Sequence, residues 1–249
     1  AALKTAQNGH SVILLEKMGV IGGASAMAGS GTMATGSKWQ KEDGYEDSAE
    51  KLVEDMMANG HQKNDRATVE LFANTIGEAF DWLVGEDGAA VPYQRSGKPS
   101  RSYSGEGRGA GVCKNLAERL EAAGGTLLTN TPATELVVEN GAVVGVKAEG
   151  EGKAYTIRAK AVILASGGFG ADLDRVAALK PALAGFVTTN VSTVTGDGID
   201  MAVAVGAATV DMEQIQIHPS VYTETTTALI TEGIRGDGAI LVNQEGKRF

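Results

Sequence analysis

The sequence predicts an α/β fold built on a parallel sheet, and three observations support this. Residues 11–16 and 161–166 are short, continuous apolar runs, which are typical of strands buried on both faces. Amphipathic stretches with helical periodicity lie between them. Thirty-four glycines against five prolines indicate many tight turns and close backbone approaches, as is usual for nucleotide-binding α/β proteins.

Composition and charge narrow the class further. At 249 residues and 43% hydrophobic content, the chain is long enough for one large domain with the start of a second. A net charge of −9 without a long basic run argues against a nucleic-acid partner, and no apolar run reaches membrane-spanning length. Because the chain has one cysteine, Cys113, and three histidines, no zinc or iron–sulfur site is expected, and the predicted metal content is none.

The first residues predict a helix tail followed by a strand. Residues 1–9 show amphipathic spacing and end at Asn8-Gly9, a left-handed cap. The apolar strand 11–16 ends on Glu16, the position at which dinucleotide-binding folds hold a ribose; a surface glutamate is the plainer alternative. In such folds a glycine-rich turn precedes this acid by roughly 20 residues. We therefore expect the first strand and the phosphate-binding loop to precede this chain, which begins without Met, and we expect the chain to be a fragment.

Residues 20–31 are too rich in small side chains for an ordinary helix or strand, and we predict a loop. Such a loop lets backbone N–H groups approach a phosphate or a flat ring. A flexible linker is the alternative, but the apolar side chains of Ile21, Met27 and Met33 argue against it.

The middle of the chain is predicted to contain helices followed by strands. Helices over 46–60 and 65–83, the second with Asp65 as its N-cap, show apolar stripes at helical spacing. The polar, glycine-rich residues 94–111 are predicted to form a loop to which we assign no role. The elements that follow are a helix at 112–123, strands at 126–128, 135–138, 143–146 and 155–158, and a hairpin turn at Asn140-Gly141.

Two further glycine turns predict contacts with a ligand. The apolar strand 161–166 runs into the glycine-rich residues 167–170, which would place a second ligand-sized gap at the carboxyl end of the sheet. Residues 195–198 (TGDG) open a helix whose first N–H groups could hold an anion or an electron-rich ring edge.

The side chains best suited to chemistry are concentrated in residues 214–238. His218, Thr231, Glu232 and Arg235 lie there between glycines, a mixture suited to holding an anion and moving protons. Glu232 and Arg235 can reach one another if the backbone between them is helical. For His218, a structural histidine before a proline is the alternative.

Taken together, these motifs resemble the flavoprotein subunit of the fumarate reductase/succinate dehydrogenase superfamily, in particular its soluble flavocytochrome c-type fumarate reductases. The resemblance spans essentially the whole chain, and the order and spacing of the motifs make it specific. Its landmarks are residues 9–17 (GHSVILLEK), 22–25 (GGAS), 165–169 (ASGGF), 195–198 (TGDG), 218–219 (HP) and 231–243 (TEGIRGDGAILVN). Residues 24–25 and 29–32 differ somewhat from the Asn- and Gly-rich pattern that is usual in the family.

The resemblance implies a fold, two domains and a cofactor. It implies a Rossmann-like FAD-binding domain of the GR2 type, with a helical insertion, over residues 1–212, and the start of an α+β capping domain for substrate over residues 213–249. FAD would be held noncovalently or attached to a histidine. By the match, the cofactor-binding residues are Glu16, Lys17, Gly22, Gly23, Ser25, Gly31, Ala133, Thr134, Gly167, Gly168, Thr195, Asp197 and Gly198.

The activity that the resemblance implies is reduction of the C=C bond of an unsaturated dicarboxylate, with fumarate to succinate as the favoured reaction. Hydride would pass from flavin N5 to one alkene carbon, and the other carbon would take a proton from an arginine that the family places beyond Phe249. Glu232 and Arg235 would feed protons to that arginine. Because the arginine itself lies outside these 249 residues, this chain by itself is expected to be inactive. The matched catalytic residues are His218, Thr231, Glu232 and Arg235, and the matched substrate contacts are Gln216, His218, Thr231 and Glu232.

Several alternatives stay open. Within the same fold they are reductases of urocanate or methacrylate, 3-ketosteroid dehydrogenases and L-aspartate oxidase, although the His-Pro and Thr-Glu pairs favour a dicarboxylate over a steroid, which needs an apolar lining. A noncatalytic flavin-binding module is the alternative from another class. The implied partners are a small dicarboxylate substrate and an electron donor, protein or domain, that carries haem or FMN, with no nucleic acid and no membrane segment. The compartment is left open between the cytoplasm and the periplasm.

Overall fold

The structure, a computed structural model, describes residues 1–29, 31–95, 100–224 and 227–248. The chain forms two compact units, which we treat separately. Unit 1 comprises Ala1–Val137 and Val144–Ile163, and unit 2 comprises Val138–Val143 and Leu164–Phe249. The predicted α/β class is confirmed, while the domain boundary at residue 212 stays a prediction.

The helices and strands of unit 1 account for most of the regular structure. Its helices are α1 (Ala2–Gln7), α2 (Gly23–Met27), α3 (Lys38–Glu42), α4 (Ala49–Asn59), α5 (Arg66–Val84) and α6 (Arg108–Ala122). Its strands are β1 (Ile13–Leu15), β2 (Gly31–Met33), β3 (Tyr93–Gln94), β4 (Ser102–Gly105) and β5 (Thr126–Leu128). They are followed by β6 (Ala133–Glu139), β7 (Ala142–Gly150) and β8 (Lys153–Arg158), whose hairpin tip at 138–143 falls in unit 2.

Unit 2 contains shorter elements. They are α7 (Leu173–Leu179), a 3-10 turn (Pro181–Leu183), α8 (Asp197–Ala204), β9 (Val221–Tyr222), β10 (Ala228–Leu229) and α9 (Gly233–Gly236). Across the described parts of both units, no helix combines the length and the apolar character needed to cross a membrane.

Strand β1 pairs in parallel with β5, with Ile13 opposite Thr126. Parallel neighbours need a long crossover, and here the chain between them contains the helices α2 to α6 and the small sheet β2–β4–β3. Backbone hydrogen bonds continue the pairing past β1, from Glu16 N to Leu128 O at 2.9 Å and from Thr131 N to Glu16 O at 2.9 Å. The predicted strand is therefore confirmed, and Glu16 lies at its carboxyl end.

The two predicted amphipathic helices are confirmed as α4 and α5. The predicted N-cap is also present, because Asp65 Oδ1 accepts a hydrogen bond from Thr68 N at 2.8 Å. Ser48 caps α4 in the same way through Lys51 N. The two helices bury a shared apolar cluster, which consists of Leu52, Val53, Met57, Val69 and Ala73.

A second core in unit 1 is aromatic. Phe80 of α5 is 1% exposed, and its ring stacks on that of Tyr103 with centroids 5.3 Å apart. Trp39 contacts both rings edge-on. The arrangement anchors α3 and α5 on β4, since aromatic pairs in these geometries add to the free energy of burial.

The β6–β7–β8 sheet follows the predicted hairpin pattern. Asn140 and Gly141 both have positive φ, 51° and 78°, as a two-residue type I′ turn requires. Strand β7 then pairs antiparallel with β8.

The strand predicted at residues 161–166 is wrong. These residues have no strand conformation, and Ile163 and Leu164 are 66% and 41% exposed. Within the described ranges no neighbouring strand pairs with this segment. A strand exists only where a neighbour satisfies its backbone groups, so an apolar sequence was not sufficient here.

Two predicted loops also contain regular structure. Residues 20–31, predicted to be neither helix nor strand, contain helix α2 and the first residue of β2, and residues 94–111 contain β4 and the start of α6. Helix α2 forms because α6 supports it at close range: a Cβ at Gly109 would lie 1.9 Å from Ser25 O. The small residues that suggested a loop are those that permit this approach.

The predicted loop 94–111 also contributes an ion pair that no sequence pattern suggested. Arg101 Nε and Nη2 bind Asp47 Oδ2 and Oδ1, each at 2.8 Å, and Asp47 also accepts a hydrogen bond from Thr35 Oγ1 at 2.9 Å. The Asp47 side chain is 0% exposed. Burial raises the pKa of its carboxyl, but Arg101 and Thr35 outweigh burial, so the pKa is lowered overall.

Replacing Gly77 of α5 by alanine should destabilise the protein by about 1–3 kcal/mol. A Cβ there would lie 2.6 Å from Thr35 O and 2.9 Å from Ser37 N, and backbone atoms cannot move aside alone. Thermal unfolding measures the effect. Glu78→Ala, at an exposed position of the same helix, is the control. Because alanine is the better helix former by about 1 kcal/mol, a stabilised Gly77→Ala protein would contradict this packing.

Asp47→Asn should lower the free energy of unfolding at neutral pH by about 2–3 kcal/mol, since a charge-assisted pair is lost. The folded-state pKa of Asp47 lies below its ordinary value of 3.8. Its stabilisation is therefore complete above that value and is lost as the pH falls through the lowered one. Denaturant titrations from neutral to acidic pH should show the two proteins converging.

The control for this experiment is Glu70→Gln, which removes an ion pair between half-exposed partners, Glu70 and Arg66. It should cost less than about 1 kcal/mol. If the two variants lose the same free energy of unfolding, burial of the Asp47 carboxylate does not strengthen its pair with Arg101.

Candidate functional site

Glu16 and its neighbours form the first part of the candidate cofactor site, in unit 1. Glu16 is half-buried, and its Oε1 accepts a hydrogen bond from Met18 N at 2.8 Å. Met18 O in turn accepts from Asn130 N at 2.9 Å. A backbone hydrogen bond thus joins the loop after β1 to the loop after β5. Among the described residues no donor reaches Glu16 Oε2, so one carboxylate oxygen can accept a ligand hydroxyl.

The predicted residues Lys17, Ala133 and Thr134 adjoin this loop. Lys17 follows Glu16 directly, while Ala133 is half-buried and Thr134 is exposed at the start of β6. The bond from Thr131 N to Glu16 O brings the start of β6 to the end of β1. The structure therefore places these predicted residues at one edge of the parallel pair.

The predicted glycines of residues 22–31 form a second part of unit 1. Gly22 has φ 104° and caps α2, and a Cβ on it would lie 2.8 Å from Ala26 Cβ and 3.1 Å from Cys113 Sγ. Gly23 opens α2, Ser25 is exposed on it, and Gly31 is the first residue of β2. The backbone of α2 therefore lies directly on α6.

Sequence reasoning missed what α6 does in this part. Cys113, considered in the sequence as a possible metal ligand, lies half-buried beneath Gly22. Burial raises the pKa of its thiol, so this cysteine is a packing residue for the glycine turn. The signal that could have found the contact is the glycine spacing of α6, with Gly109 and Gly111 on its first turn.

In unit 2, predicted residues meet at the start of α8. Thr195 Oγ1 donates to Asp197 Oδ1 at 2.6 Å, and Gly198 is buried against Ser166, whose Oγ would lie 2.0 Å from a Cβ on Gly198. Gly167, with φ 78°, and Gly168 follow Ser166 directly. The two predicted glycine turns of unit 2 are therefore in contact.

Arg175 holds this arrangement together and was not predicted. Its Nη2 donates to Asp200 Oδ2 at 2.7 Å and its Nε lies 3.1 Å from Asp172 Oδ2. A Cβ on Gly196, whose φ is 91°, would lie 2.4 Å from Arg175 Nη1. The guanidinium thus links α7 to α8 directly beneath the TGDG turn.

The predicted catalytic residues of unit 2 form a cluster around one short hairpin. His218 Nδ1 lies 2.9 Å from Ser220 O, and His218 Nε2 lies 3.6 Å from Glu232 Oε2. Arg235 Nη1 donates to Ser220 Oγ at 2.5 Å. The structure therefore brings His218, Glu232 and Arg235 together, although they are up to 17 positions apart in the sequence.

The other two predicted residues are less involved. Thr231 is exposed, and its Oγ1 accepts a hydrogen bond from Gly233 N at 3.3 Å, at the start of α9. Gln216 is exposed, and within the described residues no hydrogen bond or ion pair joins it to the His218 cluster.

The electrostatics of the cluster favour an anionic Glu232. Its pKa is lowered by hydrogen bonding to its own backbone amide, then by His218 and by the charge of Arg235. The cluster therefore places an anionic carboxylate beside the His218 ring and the Arg235 guanidinium. This set can bind an anion and relay a proton.

These features define a class of protein. A parallel pair that ends on an acidic residue, together with glycine turns packed on helix N-termini, is typical of an α/β protein that binds a dinucleotide. The chain belongs to the FAD binding domain family, whose match covers residues 1–249.

Three relatives illustrate the family relationship. The fumarate reductase (cytochrome) of Shewanella frigidimarina is 38% identical over 100% of this chain and 45% of its own length. The urocanate reductase of Eggerthella lenta is 39% identical over 100% of this chain and 43% of its own length. The solved open conformation of a flavocytochrome c3 fumarate reductase superposes with a TM-score of 0.84 at 33% identity, covering 100% of this chain and 45% of the other. The chain thus spans less than half the length of these relatives.

FAD is the cofactor that this family membership implies, and the observed residues fit it. Glu16 Oε2 can accept a bond from a ribose hydroxyl, and the open space beside Gly23 lets a phosphate approach the backbone there, while Gly22 keeps α2 packed on α6. The net charge of −9 makes such local donors necessary for an anionic ligand.

Gly22→Ala should lower the FAD content of the purified protein, because the added Cβ pushes α2 away from Cys113 and Ala26. Gly9→Ala is the matched control, since Gly9 also has positive φ, 79°, but open space around a Cβ. Both variants should bear a similar backbone strain of about 1–2 kcal/mol, yet only the first should lose flavin, measured by absorbance per protein. If the two variants contain the same amount of flavin, the glycine turn at Gly22 is not part of the cofactor site.

Proposed function

We propose that the protein carrying this chain is an FAD-dependent oxidoreductase that reduces the C=C bond of an unsaturated dicarboxylate, fumarate to succinate. The observation that supports this most directly is the cluster of His218, Glu232 and Arg235, with Thr231 beside it. The relatives named for fumarate and urocanate reduction support the reaction class.

The cluster would bind and orient the substrate. The chemistry that bound FAD supplies is hydride transfer to one alkene carbon. His218 and Thr231 would donate hydrogen bonds to a substrate carboxylate, and such charge-assisted bonds are stronger than neutral ones. Donors fixed before the reaction stabilise the negative charge that develops on the substrate.

Glu232 and Arg235 would move protons. Glu232 is 72% exposed, so its carboxylate can exchange protons with water, and Arg235 neighbours it on the same helical turn, α9. We propose that the pair returns a proton to the substrate side of the site after each turnover.

The roles of the cofactor residues would be those that the resemblance implies. Glu16 would hold the adenosine ribose, Ala133 and Thr134 would line the adenine, and Ser25 and Gly31 would lie along the pyrophosphate and flavin. Gly167 and Gly168 would belong to the same cofactor path, and Asp197 and Gly198 would approach the flavin. Reducing equivalents would come from a protein or domain that carries haem or FMN.

Urocanate is the second candidate substrate, because the urocanate reductase relative matches at 39% identity, against 38% for the fumarate reductase. Both substrates present a carboxylate conjugated to a C=C bond, and they differ in the group at the far end. A noncatalytic flavin-binding role is the remaining alternative, and measured turnover would exclude it.

Glu232→Gln should lower kcat for fumarate by about 100-fold or more, the usual contribution of a general acid–base group, while KM changes little. His218→Ala should instead raise KM, since it removes about 1.5–3 kcal/mol of hydrogen bonding to the substrate anion. The assay uses the full-length, FAD-loaded protein, reduced viologen as donor, and fumarate or urocanate in parallel.

The matched control is Glu245→Gln, which removes an exposed carboxylate that pairs with Lys247 at 2.9 Å, and it should leave kcat unchanged. A Glu232→Gln protein with normal kcat and a lowered melting temperature would make Glu232 a structural ion-pair partner. Turnover of urocanate without turnover of fumarate would reassign the substrate.

A further inference from the structure

Ser220 joins the residues of the His218 cluster. It is half-buried and lies between Pro219 and strand β9. Both its carbonyl and its hydroxyl group take part in hydrogen bonds with the cluster or with the chain next to it. The resemblance to known reductases assigns it no role, and its small side chain gives no sequence signal.

The carbonyl of Ser220 accepts two hydrogen bonds. His218 Nδ1 lies 2.9 Å away, and Ile230 N donates from 3.1 Å. A carbonyl oxygen has two lone pairs, so both bonds can form together. Ser220 N also lies 3.4 Å from His218 Nδ1, but that longer contact is the weaker of the two. The geometry therefore favours the imidazole tautomer with its proton on Nδ1.

This tautomer determines what the other ring nitrogen can do. His218 Nε2 is shielded from solvent and has no hydrogen-bond partner among the described residues. It faces Glu232 Oε2 at 3.6 Å, beyond hydrogen-bond range. With Nδ1–H held by Ser220, Nε2 is the nitrogen that takes up a proton, and the imidazolium so formed can donate from Nε2 to a substrate carboxylate.

The hydroxyl of Ser220 fixes the guanidinium. Its single proton is directed to Ile230 O at 3.2 Å, which leaves a lone pair for Arg235 Nη1 at 2.5 Å. Ile230 precedes Thr231 and Glu232 directly, so the same hydroxyl connects Arg235 to the segment that carries the predicted substrate contacts.

We propose that Ser220 is a positioning residue, which orients the His218 imidazole through its carbonyl and the Arg235 guanidinium through its hydroxyl. The proposal rests on the proposed function, because it assigns Ser220 to the same reaction. Ser220 would therefore affect proton transfer and not substrate binding, because its carbonyl and its hydroxyl are both occupied by hydrogen bonds within the protein.

The kinetic test compares Ser220→Ala with Ser220→Thr in the full-length, FAD-loaded protein. The alanine variant loses the hydroxyl and should lower kcat for fumarate about tenfold, as expected for a lost bond to a charged group, with KM within about twofold. The threonine variant keeps the hydroxyl and should restore most of kcat. Ser192→Ala, at an exposed position of unit 2, is the matched control and should behave as the parent.

A spectroscopic test needs neither turnover nor cofactor. Nitrogen-15 shifts of labelled histidine in the full-length protein report the tautomer, and the signal that disappears in His218→Gln is that of His218. We expect the Nδ1–H tautomer in the parent. Ser220→Ala keeps the carbonyl, so the same tautomer should persist while kcat falls.

The outcomes separate this proposal from the proposed function. If Glu232→Gln lowers kcat but Ser220→Ala does not, the reductase assignment stands and the positioning role is overturned. An Nε2–H tautomer overturns the carbonyl part. A threonine variant as slow as the alanine variant overturns the hydroxyl part. If neither Glu232→Gln nor Ser220→Ala affects turnover of fumarate, the positioning role and the proton-moving role of Glu232 are both overturned, whereas a parent protein that does not reduce fumarate overturns the proposed function itself.

Discussion

Close contact between backbone segments at glycine is the constraint on which this structure depends. Gly109 brings α6 onto α2, Gly77 brings α5 onto the turn after β2, and Gly198 brings α8 onto residue 166. At each position a side chain would overlap atoms of the facing segment. The large number of glycines is therefore a packing requirement before it is a matter of flexibility.

The two units differ in how they are stabilised. Unit 1 contains two apolar clusters and an ion pair in which Arg101 binds the buried carboxylate of Asp47, so its helices pack on apolar interiors. Unit 2 has short elements, and many of its large apolar side chains are exposed, among them Val210 and Ile240. Hydrogen bonds and ion pairs, such as those of Arg175 and of Ser220, hold its short elements together. Polar links have directions, and for that reason they can orient the side chains of a reactive site.

Much of the fold was predictable because it depends on local patterns. Helices α4 and α5, the Asp65 cap, the first strand and the Asn140-Gly141 hairpin all follow from periodicity and turn chemistry, which act over a few residues. The failures share a cause. Residues 161–166 have the composition of a strand but lack a paired neighbour, and α2 has the composition of a loop but is supported by α6. In both cases a distant segment decided the outcome.

The same division applies to the candidate site. The sequence by itself determined the family and the cofactor class, and it predicted His218, Glu232 and Arg235 as site residues, because residue types and their spacing carry that information. Only the tertiary structure decided that these side chains meet around Ser220 and that Cys113 lies under a glycine turn. The physical reason is range: propensities and motifs act between near neighbours, whereas a hydrogen bond or a steric contact depends on where folding brings distant segments.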